Sequence, residues 1–322
     1  MTTALAFQSP VQHLLPSVEQ RMRSQTEGYH PVLKDALDQL LDSGGKRVRP
    51  TVVLLACAML NVDRQLSIDL AATVELLHTA TLVHDDLIDN SQMRRGKPTL
   101  NATWSTSATI LTGDFLFSQA AWLGAQVGSA EVMRMFAATL STIVNGEITQ
   151  IFERNSLTDR DAYMKRIFAK TASMFELASK AAVVLDGRKQ QYGEPLRAYG
   201  YGIGMAFQMV DDILDFSSDT ASLGKPTASD LRLGLITLPT LHYLEANKAD
   251  VRLAQLQNGS KLLETEMETL IEDIRSSGAI QASKQEARQQ VADAIAALEV
   301  LPETSERTAM AELAEYVVER LH

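Results

Sequence analysis

Two segments of this 322-residue chain read Asp-Asp-x-x-Asp: Asp85, Asp86 and Asp89, then Asp211, Asp212 and Asp215. Residues four apart share a helix face, so each segment presents two carboxylates about one turn apart. Like charges at that spacing weaken a helix slightly. Each cluster also abuts apolar sequence that favours burial, Leu70 to Val83 before the first and Ile203 to Val210 before the second. Both costs vanish if the carboxylates hold hard cations. Carboxylate-rich oxygen ligation with room for water suits Mg²⁺, its coordination completed by substrate phosphates. One such cluster would equally suit a solvated helix end; the repetition, each time after an apolar helix, favours metal.

The basic residues are as selectively placed. Gly44-Gly45-Lys46-Arg47-Val48-Arg49-Pro50 is a glycine-flanked basic loop running into an apolar helix. Backbone amides at a helix start, with Lys and Arg beside them, make an anion site. Arg94-Arg95-Gly96 follows the first aspartate cluster and Lys225 follows the second. Carboxylates with cations directly beyond them are what a metal-bridged diphosphate requires, because metals neutralise some oxygens and guanidinium groups fork onto others. A charge-balancing salt-bridge network is the plainer alternative.

The elements that must carry these groups are helices. Hydrophobic residues make up 45% of the chain, enough for a large core, while Gly (17) and Pro (9) are too few for a turn-rich fold. Period-3.6 patterning places a buried central helix from Ser67 into the first cluster. Another starts at Thr158, with Asp161 three residues on, and ends at Gly187; its Tyr163, Ile167, Thr171, Met174 and Ala178 share a face. Further helices are expected over 32–41, 49–60, 107–124, 130–152, 195–216, 235–246, 261–276, 279–298 and 305–321. Without a linker, repeat or low-complexity block, one all-α domain over 1–322, with ten or more helices, is expected. The net charge of −10 offers no field for nucleic acid or an anionic membrane surface. The lone Cys57 fits a reducing compartment. No secretory signal or span of about 20 apolar residues is recognisable, so a cytoplasmic protein without a membrane anchor is expected.

Taken in order, Gly44-Gly45-Lys46-Arg47-x-Arg49-Pro50, His78, His84-Asp85-Asp86-x-x-Asp89, Met93-Arg94-Arg95-Gly96, Gly113-Asp114, Lys170-Thr171, Phe207-Gln208 and Asp211-Asp212-x-x-Asp215 resemble the motifs of the trans-isoprenyl (polyprenyl) diphosphate synthases, nearest to the bacterial long-chain members. The likeness runs from about residue 30 to the C-terminus, with the motif-bearing core at about 30–250. It implies an isoprenoid-synthase helical bundle around a central cavity, the two aspartate clusters facing each other across its mouth. It implies a prenyltransferase that condenses isopentenyl diphosphate with an allylic prenyl diphosphate (1'-4, trans) by Mg²⁺-assisted ionisation. About three Mg²⁺ ions would be held by Asp85, Asp89, Asp211 and Asp215, with Asp86 and Asp212 close by. Arg94 and Lys225 would assist at the allylic diphosphate. Lys46, Arg49, His78 and Arg95 would bind isopentenyl diphosphate, and Lys170, Thr171 and Gln208 would steady the allylic cation. A homodimer packed through helices, with transient membrane contact on releasing an apolar product, is also implied.

One stretch departs from the family pattern. Ala228-Ser229-Asp230-Leu231 stands where the family carries a glycine first, and Gly234-Leu235 replaces a second Gly-Lys, removing a cation; Lys225 and Arg232 are candidates to supply it. The resemblance also places the residues four and five before Asp85 in the tunnel that receives the growing chain. These are Thr81 and Ala80, small side chains that leave it open, with Leu77, Leu76 and Thr73 deeper on that face. A product of roughly C30 to C50 is therefore expected. Alternatives are a short-chain farnesyl or geranylgeranyl synthase and a non-catalytic regulatory subunit of a prenyl synthase.

Overall fold

In the computed structural model, residues 5–152, 159–187, 189–217 and 227–321 are described, and they are mostly helical. The helices are α1 (Leu15–Arg23), α2 (Pro31–Asp42), α3 (Val48–Leu60), α4 (Arg64–Ile88), α5 (Leu100–Thr103), α6 (Thr106–Gln126), α7 (Ala130–Phe152) and α8 (Arg160–Ile167). They continue with α9 (Ser173–Asp186), α10 (Gly193–Ser217), α11 (Ser229–Arg232), α12 (Leu238–Ala246), α13 (Val251–Gln257), α14 (Glu264–Ser276), α15 (Ala279–Ala297) and α16 (Ser305–Glu319). The sheet among the described residues is an antiparallel ribbon of β1 (Met93–Arg94) and β2 (Lys97–Pro98). The fold is all-α, as the patterning requires.

Contacts divide the chain into two compact units. The first comprises Met1–Ala138, Leu177–Arg197 and Val300–Glu312; the second comprises Thr139–Glu176, Ala198–Glu299 and Leu313–His322. In the first unit α4 is the central element, packed against α6, α3 and α1. Its Leu70, Val74, Leu76, Leu77 and Ala80 are wholly buried, as are Val52, Leu55 and Leu60 of α3 and Ala120 and Leu123 of α6. Burial of each such Leu or Val contributes about 1.5–3 kcal/mol. By length and composition α4 would suffice to cross a membrane, but protein covers most of it. The second unit has its core along α10, where Tyr199, Ile203, Met209, Ile213 and Phe216 are fully buried, and where α12 packs on α15.

Several boundaries differ from those expected. Helix α4 starts at Arg64 rather than at Ser67, because Asp63 caps it by accepting from the amides of Gln65 and Leu66. Asp159 caps α8, accepting from Ala162 N; Thr158 lies outside the described residues. The helix expected to run unbroken to Gly187 is interrupted by a π-helical turn, Phe168–Ala172. Helix α12 starts at Leu238 rather than at 235, since Pro239 fits only its first turn and Leu235 N is bound to Asp230 O. Helices α1, α5, α11 and α13 were not anticipated.

Candidate active site

In the first unit, the end of α4 carries the first aspartate cluster. Asp89 is exposed and Asp85 half-buried, whereas Asp86 is buried and held in a fork by Arg94, whose Nε lies 2.9 and 3.0 Å from its two oxygens. Arg94 is presented by β1. The turn of the ribbon is Arg95-Gly96, both at positive φ (51° and 74°), the geometry a two-residue hairpin demands. A left-handed arginine costs about 1–2 kcal/mol, so tertiary contacts must hold it. Its guanidinium donates to Gly44 O, Lys97 Nζ donates to Asp42 O, and Gln39 donates to Pro98 O, which ties the ribbon to the end of α2.

The basic loop lies alongside. Lys46 is exposed, and its carbonyl accepts from Gln8. Arg47, also left-handed at φ 48°, turns inward onto Glu19 and Glu75 and serves the scaffold. Arg49 Nη1 lies 3.2 Å from His78 Nε2 on α4. Burial, then Arg49, Arg95, Arg94 and Arg47, hold the His78 imidazole well below its ordinary value. His78 is therefore neutral near pH 7 and its Nε2 accepts from Arg49, so the loop, the ribbon and α4 converge in a cationic patch suited to a diphosphate. His84 is packed between α4 and α6, its ring against Phe117 and its Nε2 3.2 Å from Ile110 O; a Cβ on Gly113 would strike that ring. Ala80 and Thr81 are buried, the Thr81 hydroxyl donating to His78 O.

In the second unit, the end of α10 carries the second cluster. Asp212 is buried and accepts from Tyr163 OH (2.9 Å) and Gln208 Nε2 (2.9 Å). Gln208 in turn accepts from the Thr171 hydroxyl at 2.7 Å. Burial and the nearby Asp230 push the Asp212 carboxyl up to about 7, against the opposing hydrogen bonds and Arg166. Asp211 pairs with Arg320 at 2.9 Å. Asp215 accepts from Ser229 N, Ser229 Oγ and Asp230 N, so its carboxylate caps α11. Lys170 and Thr171 ride on the π-helical turn, with Lys170 Nζ 3.9 Å from Glu147 on α7. Gly146 of α7 and Gly204 of α10 press against this turn where a Cβ would strike Ala169 or Ala172.

Lys225 lies outside the described residues. Arg232, a candidate for the cation lost at Leu235, is engaged by Glu264, Glu268 and Thr227 O. Arg166 donates to Ile236 O, and the charges of Asp212 and Asp230 act on it. Ala228, where the family carries glycine, sits at φ 53°. Tyr163 was expected only as a packing residue on the face of Thr171, and Arg166 and Arg320 escaped the sequence reading. Tyr163 and Arg166 lie two turns and one turn before Lys170 on the same stretch of helix, a signal that was available; Arg320 had none, because tertiary folding brings it there.

Among the described residues no three His, Cys, Asp or Glu side chains form a ready-made metal cage. The residues that could hold a divalent cation are Asp85, Asp89 and Asp211, each contributing one carboxylate alongside substrate phosphates. In the first unit, carboxylates one turn apart end α4 beside the cationic patch of Arg49, Arg94 and Arg95; in the second, a like pair ends α10, and each arrangement suits the class of all-α enzymes acting on diphosphates. The polyprenyl synthetase family model matches residues 30–274, and the chain belongs to that family. It is 35% identical over 326 residues to a prenyl transferase of Synechocystis sp., with all of both chains covered. It is 36% identical over 288 residues to octaprenyl diphosphate synthase of Escherichia coli, covering 87% of this chain and 88% of the relative. A decaprenyl diphosphate synthase from Rhodobacter capsulatus superimposes with a TM-score of 0.91 at 31% identity, 98% of each chain covered. A Caulobacter crescentus polyprenyl synthase complexed with calcium and isoprenyl diphosphate does so with a TM-score of 0.88 at 32% identity, covering 97% of this chain and 96% of the other. The chain is accordingly a trans-prenyltransferase.

Proposed function

We propose that the chain elongates an allylic prenyl diphosphate with isopentenyl diphosphate to a long-chain product of roughly C30 to C50. The observation that carries this reading is the pair of intact aspartate clusters at the ends of α4 and α10, in a chain whose relatives are named octaprenyl and decaprenyl synthases. Asp85, Asp89 and Asp211 hold Mg²⁺. Bound there, Mg²⁺ supplies neutralisation of the charge that develops on the departing diphosphate. Asp86 acts by aiming Arg94, and Asp215 caps α11 while its remaining lone pair can reach metal. Lys225 joins Arg94 at the allylic diphosphate. Lys46, Arg49, Arg95 and neutral His78 bind isopentenyl diphosphate, and Lys170, Thr171 and Gln208 steady the allylic cation. The small buried side chains of Ala80 and Thr81 support a long product.

One family model spanning residues of both units supports one catalytic domain. Leu111 (66% exposed) and Trp122 (62%) on α6 support a homodimer formed through this helix. The buried Cys57, its thiol pushed up to about 12 by burial, is compatible with a cytoplasmic enzyme that meets the membrane only at product release. The assignment of metal to the two clusters is tested by turnover: Asp85→Ala and Asp211→Ala should each lower the rate by at least about 10²-fold. Activity surviving both substitutions would overturn it.

A further inference from the structure

Beyond α16, the guanidinium of Arg320 occupies two seats on one face of α10. Its Nη1 lies 2.9 Å from Asp211 Oδ1, and its carbon lies 5.2 Å from the ring centre of Phe207, one turn earlier on the same helix. Phe207 is in turn packed 5.8 Å from Phe175. An aromatic face and a carboxylate presented together fix a guanidinium more firmly than either alone. Both side chains of the ion pair keep some solvent exposure, 26% for Arg320 and 39% for Asp211, so the pair contributes little to folding and can open without unfolding.

We propose that Arg320 is a tethered counter-ion of Asp211, a positioning residue that disfavours divalent metal at that carboxylate until a diphosphate arrives with it. The proposal rests on the reading above in which Asp211 is a metal ligand. A dication at Asp211 would stand within about 4–5 Å of the guanidinium unless Arg320 withdrew, and like charges so close repel. Metal alone must therefore displace Arg320 and leave it without its carboxylate. Metal accompanied by a diphosphate offers the guanidinium a new anion of matching fork geometry, so the displacement is compensated. The result is synergy: metal and diphosphate bind the second cluster better together than the sum of their separate affinities. The arrangement guards against a site filled with metal and no substrate.

The probe is Mn²⁺, titrated into the full chain by electron paramagnetic resonance, with and without inorganic pyrophosphate; the site followed is the one that Asp211→Asn removes. In the absence of pyrophosphate, Arg320→Gln should bind Mn²⁺ about fivefold more tightly at that site than the unaltered chain, the scale of one exposed charge pair. Pyrophosphate should then strengthen Mn²⁺ binding less in Arg320→Gln than in the unaltered chain. Arg320→Lys, which keeps the charge, should restore the weaker binding. Unchanged or weaker Mn²⁺ binding in Arg320→Gln, with Asp211→Asn still removing a site, would overturn the role of Arg320 alone. If Asp211→Asn removed no site, the metal-ligand reading would fail and the proposal with it. Matched melting temperatures of the variants separate these outcomes from misfolding.

Discussion

Asp212 is the side chain whose surroundings most alter its chemistry. It is fully buried, with Asp230 nearby, and is satisfied by Tyr163 and Gln208 rather than by a formal ion pair. A carboxyl raised to about 7 when folded and near 3.8 when unfolded binds its proton preferentially in the native state between those values. Stability from this group is therefore full below about pH 4 and declines as pH rises towards 7, by a few kcal/mol at most. In metal-free protein held in chelator, the urea midpoint of the unaltered chain should fall more from pH 5 to pH 7.5 than that of Asp212→Asn. Equal falls would mean that the raised carboxyl does not exist. At this same scale the six aspartates, uniform on paper, divide by environment: Asp86 aims an arginine, Asp215 caps α11, and Asp211 meets Arg320. None of this division is readable from Asp-Asp-x-x-Asp, because the partners lie up to 109 positions away and only folding selects them.

The helices were legible where local signals agree. Helix α7 occupies the expected 130–152, and α4, buried on nearly every face, delivers the first cluster at its end as its apolar run implied. Short α1 and α13 carry too few periodic residues to stand out, and the π-helical turn has no local signature because it is imposed by packing. That turn displays Lys170 and Thr171, and π-bulges recur at functional sites. Its position depends on Gly204, where a Cβ would fall 2.5 Å from Ala172 Cα, a backbone atom that cannot rotate away. Gly204→Ala should therefore cost about 1–3 kcal/mol and lower the turnover number while leaving the KM for isopentenyl diphosphate nearly unchanged. Differential scanning calorimetry with steady-state kinetics reads both quantities. An unchanged turnover number would show that the turn does not position Thr171 for the reaction.

For the whole molecule, the acidic balance has been resolved into local fields. Net charge −10 coexists with a patch of Arg49, Arg94 and Arg95, which together with burial, the larger cause, keeps His78 neutral. The apolar strip on α6 is the counterpart in hydrophobicity: Leu111 and Trp122 are exposed on the face that the proposed dimer would cover. Leu111→Asp combined with Trp122→Glu should convert a dimer to monomer in sedimentation velocity; a monomer already in the unaltered chain would contradict the dimer. The proposed long-chain activity is open to the most direct measurement. Purified protein given Mg²⁺, farnesyl diphosphate and labelled isopentenyl diphosphate should yield all-trans products of roughly C30 to C50 by chromatography, and Ala80→Tyr should shorten the ladder by filling a buried position. Products that stop at C20 or below in the unaltered chain, or no elongation from any allylic primer, would contradict it.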